Sequence, residues 1–186
     1  MFDQITFRRL LTVAASLLIS IGVSSAQVIN SGAKPIALNA TLQEAVSVSL
    51  SANAVNFTLT NGSPNNPGST AITATTSWTL RPNRGALSLY AYFASAASAL
   101  TNGVGNNIPS SAFSISTNGG AFFTLSNTVP FGGANAGLRL STTPILGNNK
   151  TGSRNDVMNF NIDLSGVPTL PSGLYSGTLI IQAQAI

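Results

Sequence analysis

Few side-chain types do covalent or metal chemistry, and this chain holds very few of them. It contains no His and no Cys. That removes Ser–His–Asp and Cys–His nucleophilic arrangements and most transition-metal ligand sets. Beyond the N-terminal segment the carboxylates are Glu44, Asp156 and Asp163. A glycosidase needs two carboxyl groups facing each other at a fixed separation. Here Asp163 alternates outward on a strand-like run, Asp156 stands at the start of that run beside Arg154, and Glu44 falls in an early turn. The three read as solvated carboxylates. Calcium wants several acids in one loop, and "GSRNDV" offers one acid with a neighbouring Arg. The glycine-rich "FGGANAG" lacks the Lys and following helix of a phosphate cradle and runs into the strand-like "LRLSTT". No catalytic residue, metal or cofactor is expected, and the chain reads as a non-enzyme.

One pair of side chains could recognise a ligand. In "ALSLYAYF" the alternation puts Leu87, Leu89, Ala91 and Phe93 on one face and Ser88, Tyr90 and Tyr92 on the other. Tyr90 and Tyr92 on an open sheet face could stack on a sugar. The alternative is that another subunit or a covering loop packs on them.

The start of the chain has another purpose. Arg8 and Arg9 precede an uncharged apolar run from Leu10 to Val23, followed by Ser24, Ser25 and Ala26. This is the pattern of a secretory signal peptide, with cleavage expected between Ala26 and Gln27. The run is short of the ~20 residues that span a bilayer comfortably. An uncleaved anchor is the alternative, and the Arg pair matches a twin-arginine signal poorly. The expected organisation is a signal peptide over 1–26 and one domain over 27–186, secreted to the periplasm, cell surface or beyond, with no transmembrane segment after cleavage.

The mature chain then carries six basic residues (Lys34, Arg81, Arg84, Arg139, Lys150 and Arg154) against three acids, a net charge of +3. The basic residues are scattered without interleaved aromatics, so nucleic acid is not an expected partner. Charged residues make up only 6% of the chain, and repulsion between neighbouring copies would be weak. Without disulfides, a secreted domain of this length must draw its stability from a core.

Period-two alternation dominates that domain. "VMNFNIDL" sets Met158, Phe160, Ile162 and Leu164 against Asn159, Asn161 and Asp163. "AVSVSLS", "AVNFTLT" and "TATTSWTL" repeat the pattern, with Trp78 and Leu80 as core candidates. About nine or ten strands are expected, over 36–42, 45–51, 54–60, 71–80, 86–94, 112–117, 121–127, 137–142, 157–165 and 174–185. "ASAASALT" could start a short helix. In "AFSISTNGGAFFTLS" a three-residue loop at Asn118-Gly119-Gly120 pairs Ile115 with Phe123 and Phe113 with Leu125, gathering four large apolar groups on one face. The fold class is all-β: two packed antiparallel sheets in an immunoglobulin-like or jelly-roll β-sandwich. A membrane β-barrel would also be secreted and all-β, but 7% aromatic residues is thin for two girdles.

The closing "SGLYSGTLIIQAQAI" resembles the Gly-Xaa-Tyr-Xaa-Gly-Thr-Leu ending of bacterial secreted pilin-like domains, the spore coat protein U group and related chaperone–usher fibre subunits. The chain departs from that group in lacking a cysteine pair and a penultimate aromatic. The resemblance implies an immunoglobulin-like sandwich whose subunits join by strand exchange, with copies of the chain or a periplasmic chaperone and usher as partners. Tyr175, Leu179, Ile181 and Ala183 of this candidate assembly strand would then face the core. "QVINSGAKPIALNATL", with Val28, Ile36, Leu38 and Leu42, would be the candidate donor, though Gly32 and Pro35 interrupt its alternation. Whether the terminal segments pair within one domain or between subunits stays open. The expected function is a structural or adhesive cell-surface subunit. The alternative is a stand-alone carbohydrate-binding module that takes surface glycans on Tyr90 and Tyr92.

Overall fold

Alternation becomes strand wherever a neighbour is present to complete the ladder. A computed structural model describes residues 29–82 and 84–186. The expected signal peptide and the Ala26–Gln27 cleavage site lie outside the described residues. The chain divides into two units at Ala40–Thr41. Of the first unit, residues 29–40 are described; they are exposed and belong to no strand.

The second unit is an all-β sandwich. Its strands are β1 (Ala45–Leu50), β2 (Asn66–Pro67), β3 (Ile72–Thr79), β4 (Ala86–Tyr92), β5 (Leu100–Thr101), β6 (Asn107–Ile108), β7 (Phe113–Thr117), β8 (Phe122–Thr124), β9 (Gly137–Pro144), β10 (Thr151–Ile162) and β11 (Ile180–Ala185). One sheet runs β1-β3-β10-β7-β8, with β2 on β10, and the other runs β11-β4-β9; every pairing is antiparallel. The stretch expected to start a helix instead leads into the small β5–β6 hairpin and a short 3-10 turn at Ser110–Ala112.

The core sits between the sheets. Ile72 and Ala74 of β3, Ile115 of β7 and Met158, Phe160 and Ile162 of β10 meet Leu89, Ala91 and Leu138 of the other sheet. Trp78, Leu80, Leu87 and Ile145 form a second cluster, where the Trp78 indole N–H donates to the Asn149 carbonyl at 2.8 Å. The β7–β8 hairpin has the three-residue register, Ile115 opposite Phe123. Asn118 and Gly119 both take positive φ, 53° and 76°, as such a tight turn requires. Ile115, Phe113 and Leu125 are buried, but Phe123 is 61% exposed, because β8 is an edge strand that runs past the core.

The three carboxylates are not all solvated, which corrects the sequence reading. Inward alternation on β10 extends back from Met158 to Asp156, which is fully buried. Its carboxylate accepts from Asn118 Nδ2 (2.9 Å), Ser141 Oγ (2.9 Å) and Arg154 Nε (3.0 Å). Ser141 lies on the opposite sheet and Asn118 in the hairpin turn, so one charge ties three elements together. A buried carboxylate is tolerated only with such partners. Asp163 is exposed, and the Ser165 hydroxyl and backbone N–H hold its carboxyl below the usual range.

Candidate functional site

Three segments have the period of a strand yet carry no ladder. The first is 54–60. Val55, Phe57 and Leu59 are half-buried and alternate with exposed neighbours, but only an isolated bridge from Phe57 to Gly68 pairs the segment. The second is 174–179. Tyr175 and Leu179 turn inward, a single bridge joins Ser176 to Thr101, and the regular strand starts only at Ile180. The third is 36–42, where Ile36, Leu38 and Leu42 are 83%, 91% and 84% exposed. Strand-forming sequence without a neighbour marks an incomplete sheet edge.

The first two of these segments form the walls of one groove of about 780 Å3. One wall follows the chain from Leu50 to Asn61, and the other follows it from Leu170 to Ile181. Asn61 Nδ2 donates to the Leu170 carbonyl at 3.2 Å and ties the walls together at one end. The floor is the main core itself: Phe93, Phe113, Phe160, Ile162 and Leu164 are buried residues that also line the groove. Phe113 meets Phe57 and Phe93 edge-on, with centroids 5.4 and 5.2 Å apart, which fixes the rings in a favourable T arrangement. Among the described residues, every one that lines the groove is uncharged. Such a surface has little to offer an ion and a good deal to offer apolar side chains arranged along an extended backbone.

The residues expected on the assembly strand are found at this place. Tyr175, Leu179, Ile181 and Ala183 are half-buried and pack against the main core. The first three line the groove. Ala183 lies further along β11, opposite Leu89 of β4, and also touches the Trp78 cluster. The Tyr175 hydroxyl donates to the Pro171 carbonyl at 3.0 Å and steadies the rim. β11 is exposed at Ile180 and only half-buried beyond it, whereas β4 beside it is almost wholly buried.

The expected sugar-stacking face is not open. Tyr90 and Tyr92 do lie opposite the core-facing Leu89 and Ala91, but both are buried. Phe131, from the glycine-rich loop, stacks on Tyr92 with ring centroids 5.8 Å apart and meets Tyr90 edge-on at 6.0 Å. The Tyr92 hydroxyl is already engaged, donating to Gln182 Oε1 at 2.7 Å. "FGGANAG" is therefore a lid. At Gly132, with φ +75°, a Cβ would stand 2.2 Å from a Tyr92 ring carbon, so only glycine lets the loop settle so closely.

One ion cluster stands just before the sheet edge. The Glu44 carboxylate accepts from the Arg81 backbone N–H (2.8 Å) and Arg81 Nε (2.9 Å), and from Arg84 Nε (3.0 Å) and Nη2 (2.7 Å). The hydrogen bond from Arg84 and then that from the Arg81 N–H lower its pKa from 4.5 to about 2. Sequence reading missed this cluster because the partners lie far along the chain on the β3–β4 crossover.

No helix among the described residues is long and apolar enough to cross a membrane. No family model, no curated protein and no solved structure matches this chain.

Proposed function

We propose that this chain is a secreted, non-catalytic structural subunit of a fibre or coat, joined to its neighbours by strand exchange. The groove between 50–61 and 170–181 receives an extended apolar segment of another copy, and residues 36–42 are the segment given. One observation carries this reading. Two unladdered, strand-like walls enclose an uncharged groove that opens onto the core, and a third unladdered segment of matching period lies exposed in the same chain. After Pro35 the alternation is strict, with Ile36, Leu38, Ala40 and Leu42 on one face and Ala37, Asn39 and Thr41 on the other. Insertion would bury those apolar side chains and supply backbone partners to both walls at once, which is the energetic logic of strand addition. The ending "GLYSGTL" supports the reading through its resemblance to secreted pilin-like domains, and it forms the rim of this groove.

A groove of this volume also falls in the range of small-molecule clefts. Its two long strand-like walls favour a peptide. The test is light scattering on the secreted full-length protein beside its Leu38→Asp variant. The natural chain is expected to form large polymers and the variant to stop at one chain mass while staying folded. Equal mass distributions would remove the reading.

A further inference from the structure

The sequence holds three Asn-Gly pairs, at Asn61-Gly62, Asn102-Gly103 and Asn118-Gly119. Asn is a thermolabile residue, and a following glycine makes it more so, because no Cβ shields the Gly nitrogen from the Asn side chain. That nitrogen attacks Asn Cγ. The Gly N–Cγ bond forms, the Cγ–Nδ2 bond breaks, and ammonia leaves with the proton given up by the attacking amide. Water then opens the cyclic imide at either carbonyl, giving Asp or an isoaspartyl linkage. Water is the only co-reactant, and nothing is oxidised or reduced.

How readily each pair reacts depends on what holds the side-chain amide and the Gly N–H. Asn118 is held at both ends of its amide: Nδ2 donates to the buried Asp156 carboxylate at 2.9 Å, and Oδ1 accepts from the Val157 N–H at 2.8 Å. Asn102 Oδ1 accepts from the N–H groups of Val104 and Asn106, each at 3.1 Å, and the Gly103 N–H, the nucleophile, donates to Thr101 Oγ1 at 3.1 Å. Asn61 is exposed and far less constrained. It is the second residue of a turn closed from the Ser63 N–H to the Thr60 carbonyl at 3.1 Å, with Gly62 third at φ +71°. The central peptide of such a turn takes no part in the closing hydrogen bond, so the Gly62 N–H stays available for attack. Among the described residues, the Asn61 side chain makes a single hydrogen bond. It is the 3.2 Å bond from Nδ2 to the Leu170 carbonyl that ties the groove walls together.

We infer that Asn61-Gly62 is a site of spontaneous deamidation, and that the reaction unlocks this end of the groove. The inference does not depend on what fills the groove. The nitrogen that leaves is the one that holds the walls. In its place stands a carboxylate facing a carbonyl oxygen, acceptor against acceptor, in a lining otherwise uncharged among the described residues. The isoaspartyl product also adds a methylene to the backbone of the turn. The base of that turn stays anchored, because the Ser63 carbonyl accepts from the Leu164 N–H at 2.8 Å and from Asn66 Nδ2 at 3.0 Å. What loosens is therefore the opposite wall, from Leu170 onward.

The experiment keeps full-length protein at mildly alkaline pH and follows the three pairs by peptide mapping and mass spectrometry, in the native state and in urea. In urea the pairs should react at similar rates. In the native state Asn61 should stay close to that rate, Asn102 should lag, and Asn118 should fall about tenfold or more behind, since a hydrogen bond to a charged acceptor must first break. Hydrogen exchange over 170–177 is then compared in fresh protein, aged protein and Asn61→Asp, with β10 as the measure of an intact fold. Faster exchange over 170–177 with β10 still protected is expected in both altered proteins. If Asn102 or Asn118 reacts as fast as Asn61 in the native state, the assignment of the site is overturned. Unchanged exchange over 170–177 in Asn61→Asp overturns the unlocking, and so does loss of protection in β10, which would make the effect global.

Discussion

At one edge of the sandwich the connection from β8 to β9 passes between the sheets, bridges Asn127 to Gly137 and presses Phe131 onto Tyr90 and Tyr92. At the other edge β1 and β11 flank the mouth of a groove whose floor is core and whose walls lack ladders. Both edges are built from the same ingredients, short alternating strands rich in Ser, Thr and Asn. They differ in what covers them. The closed edge has a loop with glycines where close approach demands them, so its aromatic residues are buried by the chain itself. The open edge has no covering loop among the described residues of the second unit, and its apolar residues are half-buried. An exposed edge of this kind is a liability in a monomer and an asset in a subunit that joins others.

The difference should show first in stability. Leu125 near the closed edge is fully buried. Leu125→Ala is expected to destabilise the isolated protein by about 2–5 kcal/mol, the cost of lost burial plus a cavity. Val55→Ala in the groove wall removes a side chain that is only half-buried, and about 1 kcal/mol is expected. Urea unfolding of donor-blocked protein, for instance in the Leu38→Asp background, measures both. The comparison breaks if Val55→Ala costs as much as Leu125→Ala, because the groove would then already be filled.

Gly132→Ala tests the lid. The added Cβ meets the Tyr92 ring at 2.2 Å and the Phe93 carbonyl at 2.7 Å, on a backbone with φ +75°. A loss of about 1–3 kcal/mol is expected, together with greater quenching of tyrosine fluorescence by added iodide as the ring cover loosens. Unchanged quenching would mean that Phe131 is not what closes this face.

How far the sequence could be read follows the same division. The regular strands were legible because period-two alternation coincides with a neighbour: 45–50, 72–79, 86–92 and 113–117 fall within two residues of the expected bounds at every end. The expected strands at 36–42 and 54–60, and the first half (174–179) of the strand expected over 174–185, have the alternation and lack the ladder, since periodicity reports which face is apolar and not whether a partner is present. Tyr90 and Tyr92 were placed on the correct face, but the cover over them comes from Phe131, about forty residues on in the chain, and alternation has no access to such contacts. Asp156 could have been found by carrying the inward set Met158, Phe160, Ile162 and Leu164 back by one step. Its character as an acid beside an Arg suggested solvent, while its position in the period specified the core.

The smallest effect concerns the open edge alone and is read by acid. Glu44 titrates at about 2 in the folded chain against an ordinary 4.5. A carboxyl whose folded pKa is depressed contributes its full stabilisation above the unfolded pKa and loses it as the pH falls towards the folded one. The stability difference between the natural chain and Glu44→Gln should therefore be constant from neutral pH down to about 4.5, then shrink and level off near pH 2. Asp163, whose pKa Ser165 also lowers, is common to both proteins and cancels in the comparison. The difference should be modest, because the Glu44 and Arg84 side chains are 22% and 34% exposed and solvent screens the cluster. If it instead grows below pH 4.5, the charge on Glu44 is not what holds the start of β1 in place.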